Sequence, residues 1–248
     1  MAFVNNFLNT GGAVTFLNVV LSDTIPVSPA EWRKALNAIS TSHMLSGEKG
    51  LRVNYSVKNS SSIAEGILEE ADPDRYDLIL FATSNYRKRA NHLFGNKIDD
   101  VIKGSTVETT VLSYFDDRPI AYKKILLPTS GYHHALKAAS MAEVLAKRHD
   151  SDVTVLYVGN KNDDTTEVFR PITTMLNMSG IRNRALLRSG PVAETILDEA
   201  HKDYDLMMIG ATERQMLFKY LLGSTADWLI KGSPCPVLMI KTMGHLKD

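Results

Sequence analysis

The chain has 248 residues, 44% of them apolar, enough for one large domain or two ordinary ones with a buried core. Lys+Arg and Asp+Glu both number 28, so no net field draws the chain to nucleic acid or an anionic membrane surface. The single cysteine, Cys235, excludes an internal disulfide and fits a reducing compartment.

No apolar run approaches the about 18 residues of a membrane helix. No basic stretch precedes an apolar core at the N-terminus, so no signal peptide is read there and a cytoplasmic location is expected. Residues 2–9 read as the end of a helix and 13–20 as an apolar strand. A helix over 32–44, a strand over 51–57, a helix over 63–71 and strands over 76–82 and 109–114 follow. The polar stretch 116–119, closed by Pro119, marks a linker over 116–122. Beyond it, 124–128 is a short buried strand, and 135–148 is a helix with its small apolar stripe at Ala135, Ala138, Ala139, Ala142 and Leu145. A strand (153–158), helix (164–178), strand (182–187) and helix (192–201) come next. An apolar run over 205–210 then stops at Gly210, Gly223-Ser224-Thr225 opens a last helix, and 236–241 is a final strand beside Cys235, a packed core residue. Strands alternating with helices imply right-handed crossovers and a parallel sheet.

The chain also repeats itself. Tyr76-Asp77-Leu78-Ile79-Leu80-Phe81 parallels Tyr204-Asp205-Leu206-Met207-Met208-Ile209, and Gly95 parallels Gly223, both at an offset of 128 (223 − 95). The same offset carries Val101-Ile102-Lys103-Gly104-Ser105 onto Leu229-Ile230-Lys231-Gly232-Ser233. Upstream, 67–71 matches 196–200 at an offset of 129, implying one inserted residue near Asp72-Pro73-Asp74. Two homologous units are therefore expected: 1–115, with nothing ahead of residue 13 that matches the strand at 124–128, and a complete unit over 123–248.

A strand ending in Gly210 that leads to Gly223-Ser224-Thr225 at a helix start is a plausible anion cradle, because backbone N–H groups there are unpaired and the helix dipole favours negative charge. This arrangement resembles the universal stress protein family, whose nucleotide-binding members carry Gly, two residues, Gly, nine residues, then Gly-Ser or Gly-Thr. Gly210, Gly223 and Ser224 stand at matching positions, and Glu213 replaces the middle glycine. The resemblance implies an α/β fold: two Rossmann-like units in tandem, each built on a parallel five-stranded sheet and paired through their last strands, here 106–114 and 236–241. It further implies an adenine nucleotide, ATP or AMP, in the second unit only. Gly210, Gly223, Ser224 and Thr225 would hold its phosphates, with Thr129, Ser130 and Val158 near the nucleoside.

Two family contacts are altered. The first strand of nucleotide-binding members ends in Pro-x-Asp-Gly-Ser; here it is Pro128-Thr129-Ser130-Gly131-Tyr132, so an uncharged hydroxyl stands at the Asp position. Glu213 adds a side chain and a negative charge where backbone should approach phosphate. In the first unit the matching positions are Ala82, Asn85, Gly95 and Asn96, which retain one glycine and no hydroxyl, and no nucleotide is expected there.

Bland readings stand beside these. Ser224 with Asp227 three residues on has capping-box form. His133-His134 lack a ligand at helical spacing and read as a solvated pair, so no metal is expected. Arg87-Lys88-Arg89 read as a solvated basic loop. Asn96-Lys97-Ile98-Asp99 and Asn160-Lys161-Asn162-Asp163 fit a guanine-reading pattern, but no Walker loop accompanies them. No Gly-x-Ser-x-Gly, His-Glu-x-x-His or Cys-x-x-Cys argues for catalysis, and a non-enzyme is expected. The resemblance thus points to a stress-response or ligand-sensing protein that pairs with itself, within the chain or as a homodimer. The alternative is a regulatory cytoplasmic domain of a cation, chloride or amino-acid carrier, bound to its membrane part, with an eroded nucleotide site. A slow nucleotide hydrolase is a third reading.

Overall fold

The computed structural model describes residues 12–21, 52–84, 94–115, 119–131, 133–160, 162–212 and 224–242. The chain divides into two compact units, Met1–Arg75 and Tyr76–Asp248. The expected helices over 2–9 and 32–44 lie outside the described residues.

In the first unit, β1 (Ala13–Leu21) and β2 (Arg52–Ser60) form a parallel pair in register from Ala13 opposite Arg52 to Leu21 opposite Ser60. Helix α1 (Ile63–Glu70) starts where Ser62 Oγ accepts the Glu65 N–H at 3.1 Å, the ordinary N-cap device. It lies against β1 so closely that a Cβ on Gly66 would sit 2.6 Å from Val19 Cγ1.

The second unit contains β3 (Leu78–Ser84), α2 (Asn96–Gly104), β4 (Glu108–Tyr114), β5 (Lys124–Pro128), α3 (His133–His149) and β6 (Asp152–Val158). Then come α4 (Thr166–Met178), β7 (Asn183–Arg188), α5 (Val192–Ala200), β8 (Leu206–Thr212), α6 (Ser224–Gly232) and β9 (Val237–Thr242). Its seven-stranded sheet has the order β3-β4-β9-β8-β5-β6-β7, with every neighbouring pair parallel except β4–β9. The expected alanine stripe of α3 is buried: Ala135, Ala138, Ala139, Ala142 and Leu145 are at most 2% exposed. Small side chains let that helix lie close to β8 and β9, and Thr110 Oγ1 reaches Met141 Sδ at 3.8 Å.

The packed units do not coincide with the sequence repeats. In the second repeat β5 lies between β8 and β6. The corresponding place in the first repeat, where the sequence offers no matching strand, holds no strand among the described residues. Hence β1–β2 and β3–β4 are separate ladders, and β3–β4 belongs to the second unit through β9.

The expected pairing of last strands is present. β4 and β9 run antiparallel with Val111 opposite Met239, Thr109 opposite Lys241 and Ser113 opposite Val237. Val111 and Met239 differ by 128, the repeat offset, so each faces its own repeat equivalent; Thr109 corresponds to Val237, and Ser113 to Lys241. A pseudo-two-fold axis therefore passes through the Val111–Met239 pair. Along this seam Thr109, Thr110, Val111, Met239, Ile240 and Lys241 are fully buried. Pairing removes one edge from each half of the sheet.

Candidate functional site

β5 and β8 are adjacent and parallel, but the chain leaves them in opposite directions along the sheet, β5 toward β6 and β8 toward β9. Diverging crossovers leave a crevice at the carboxyl ends of two such strands. Three chain segments are delivered there: the turn after β5, the end of β6, and the start of α6, which must begin at the carboxyl end of β8 because it returns the chain to a parallel β9.

The turn after β5 is built by Thr129. Its N–H donates to the Leu156 carbonyl at 2.8 Å, extending the β5–β6 ladder by one rung. Its buried hydroxyl accepts the Gly131 N–H at 3.1 Å and so closes the turn. Gly131 has φ 79, a left-handed conformation that costs a non-glycine residue about 1–2 kcal/mol. Thr129 is therefore a shaping residue whose oxygen is already engaged, while Ser130 is exposed at the tip of the turn. Val158 is the last residue of β6 and is partly exposed.

Gly210 requires a correction. The sequence suggests that the strand stops there, but β8 continues to Thr212, with Gly210 opposite Ile240, Ala211 opposite Lys241 and Thr212 opposite Thr242. The ladder partner decided the length, not the glycine. Gly210 is thus a strand residue with two further described strand residues beyond it. Gly223 and Glu213 lie outside the described residues, as do Arg87-Lys88-Arg89, Asn85 and the side chains of Ser224, Asn96, His133 and His134.

The described part of helix α6 opens with Ser224 and an exposed Thr225. Asp227, in the first turn, is only 6% exposed. Its repeat equivalent Asp99 is likewise buried, and there Oδ1 accepts the Phe94 N–H at 2.9 Å, binding the incoming residue to α2, whose N-cap Gly95 has φ 106. An acid in the first turn also uses part of the positive helix end. Sequence reasoning took Asp227 only as a partner of Ser224; the 128-residue offset to Asp99 was the signal that both positions are buried.

A shallow groove of about 200 Å³ runs between the N-terminal ends of α5 and α6, lined by Pro191, Ala193, Glu194, Thr225 and Trp228. Thr225 thus borders this groove, which sequence reasoning did not find. Trp228 is 57% exposed.

A buried acid, Glu199, holds together a polar cluster of more exposed cations beside β7. Glu199 is 3% exposed and is held by Lys202 Nζ at 2.7 Å, Arg188 Nε at 3.4 Å and the Tyr204 hydroxyl at 3.2 Å. Arg184 donates to Tyr204 Oη at 3.0 Å and to Thr154 Oγ1 at 3.0 Å. Burial pushes the Glu199 carboxyl up, but Lys202, Arg188 and Tyr204 together outweigh it and leave the group below the usual carboxylate range. These bonds join α5 to β6 and β7.

Fold and strand order define an α/β protein built on a mostly parallel sheet with a switch point between β5 and β8. The universal stress protein family model matches residues 121–241. A universal stress protein of Methanocaldococcus jannaschii is 30% identical over 140 residues, 48% of this chain and 82% of that protein. The chain belongs to the universal stress protein family.

A universal stress protein structure from Archaeoglobus fulgidus matches over nearly the whole length, 97% of this chain and 90% of that one, at a TM-score of 0.68 and 17% identity. A family protein from Arabidopsis thaliana, solved with AMP bound, matches 51% of this chain and 96% of its own, at 16% identity and a TM-score of 0.39. The AMP is that protein's ligand. Among the described residues no helix is long and apolar enough to cross a membrane.

Proposed function

We propose that the chain is a non-enzymatic stress-response or ligand-sensing protein that binds one adenine nucleotide, ATP or AMP, in its second repeat. The observation that carries the reading is the switch point itself: β5 and β8 diverge, and the Thr129–Gly131 turn and the N-terminus of α6 are both brought to their carboxyl ends. In this reading the phosphates lie against Gly223 and the amides of Ser224 and Thr225, with Gly210 below them. The nucleoside lies along Thr129, Ser130 and Val158. Ser130 offers a hydroxyl where an acid would grip both ribose oxygens, and Glu213 brings a negative charge toward the phosphates; both changes weaken affinity.

Thermal denaturation with ATP, AMP and cyclic AMP at millimolar concentration tests the site. A nucleotide at one hundred times its dissociation constant stabilises the folded state by about 2.7 kcal/mol, a shift of several degrees. A rise in Tm with ATP or AMP is expected, and Gly223→Val abolishes it. If no adenine nucleotide raises the melting temperature, nucleotide sensing fails as the function. The Ser130 and Glu213 changes also support the second reading, a regulatory module of a membrane carrier, for which the gene would encode apolar spans upstream of Met1.

A further inference from the structure

We propose that the first turn of α4, residues 166–170, is a hinged flap that seats against the nucleoside end of the crevice when ligand is bound, an inference that rests on the nucleotide reading. Helix α4 changes character at Pro171, which stands inside it. Beyond the proline the helix is anchored, with Ile172 and Leu176 fully buried. Ahead of it no residue of the helix is buried: Thr166, Glu167 and Arg170 are exposed, and Val168 and Phe169 are partly so. Arg170 pairs with Glu167 at 2.8 Å on the outer face, an exposed ion pair that stabilises little. A turn with no buried apolar residue belongs to the low-stability end of a structure.

The backbone between the two parts is weakened twice. Pro171 has no N–H to give the Glu167 carbonyl, and a proline ring crowds the carbonyl four residues back. Two residues on, the Thr173 hydroxyl donates back to the Phe169 carbonyl at 3.0 Å, a bond of the kind that bends helices. Proline and a side chain bonded into the ladder are both recognised causes of a kink, and here they fall within one turn. The flap itself holds together. Asp164 Oδ1 accepts the Thr166 N–H at 3.0 Å, and the Thr165 carbonyl accepts the N–H groups of Val168 at 3.1 Å and Phe169 at 3.0 Å.

Its inner side meets the segments that the nucleoside would touch. A Cβ on Gly131 would stand 3.4 Å from Val168 Cγ2 and 3.6 Å from Val168 Cα, so the turn that carries Thr129 and Ser130 lies directly against the flap. Phe169 stands edge-on to Tyr157, the residue before Val158, with ring centroids 6.4 Å apart. A ligand lying along Ser130 and Val158 therefore gains contacts with Val168 only while the flap is seated. A ligand shifts such an equilibrium by the difference in its affinity for the two forms, so binding orders the flap and a seated flap retains the ligand.

Hydrogen exchange of the full chain at the Phe169 and Leu176 amides, with and without millimolar AMP and alongside the melting temperature, tests the flap. In the free chain Phe169 should exchange at least about tenfold faster than Leu176, and AMP should slow Phe169 about tenfold while leaving Leu176 unchanged. Pro171→Ala, at an exposed position, restores the missing N–H and should slow Phe169 in the free chain toward the rate of Leu176. Equal rates at the two amides in the free chain, or a Phe169 rate that Pro171→Ala leaves unchanged, overturn the hinge. A rise in Tm with AMP and no slowing at Phe169 overturns the flap and leaves the nucleotide reading standing. No rise in Tm removes that reading and the proposal with it.

Discussion

Lys241 and Ser113 occupy equivalent places on the two sides of the pseudo-two-fold axis, and their fates differ because their lengths differ. Lys241 is fully buried, and its ammonium donates to the Ile102 carbonyl at 2.5 Å and the Ser105 carbonyl at 3.3 Å, at the C-terminal end of α2. A cation there meets the negative end of the helix and satisfies carbonyls that the helix leaves open. Ser113 is too short to repeat this, and its buried hydroxyl has no hydrogen-bond partner among the described residues. Lys241→Ala should therefore cost about 2–4 kcal/mol in urea denaturation, combining a cavity with unsatisfied carbonyls. Ser113→Ala should be neutral or stabilise by up to about 1 kcal/mol, since it removes a polar group that burial leaves unpaired. Glu199 adds a pH dependence. Its carboxyl lies lower in the folded chain than in the unfolded one, so its contribution is present above the unfolded value and is lost as pH falls through the folded value. Glu199→Gln should be less stable than wild type at neutral pH, and the gap should narrow below about pH 4, where unfolded carboxyls protonate. Denaturant midpoints at the two pH values check this.

Single side chains decide how the elements seat. Asp205 holds the entry of β5 by accepting two backbone hydrogen bonds, so Asp205→Ala should destabilise the second unit by about 1–3 kcal/mol. Gly66→Ala gains about 1 kcal/mol in helix propensity, yet its Cβ would stand 2.6 Å from the stiff, β-branched Val19; overpacking of about 1–3 kcal/mol should win. Guanidinium denaturation followed by hydrogen exchange in α1 reads that loss in the first unit. Element boundaries were legible where local signals agree with the ladder. Lys124–Pro128 was read to the residue because an apolar run ends at a proline that also ends the strand. The strand through Gly210 was read two residues short, because the partners Lys241 and Thr242 lie far away in sequence. Similarly, the repeat was visible at a fixed offset, but the division after Arg75 was not. It follows from which strands find neighbours, which periodicity does not record.

Within the second unit, one symmetry operation relates β3–β4 to β8–β9 and a set of departures breaks it. The axis at Val111–Met239 makes the β4–β9 seam self-complementary. About that axis the second repeat has a complete five-stranded sheet with a crevice between β5 and β8, while β3 has no described neighbour in the matching position. A crevice needs both of its diverging strands, so the account allows one nucleotide site per chain. The site residues were legible only in part. Gly223-Ser224-Thr225 announce a helix start in any sequence, whereas the engagement of the Thr129 hydroxyl by Gly131 and the burial of Asp227 depend on how the turn and helix fold. Native mass spectrometry of the full chain with ATP or AMP measures the asymmetry most directly. The account predicts one nucleotide bound per chain, lost in Gly223→Val. Two nucleotides per chain, or none at millimolar ligand, would contradict it.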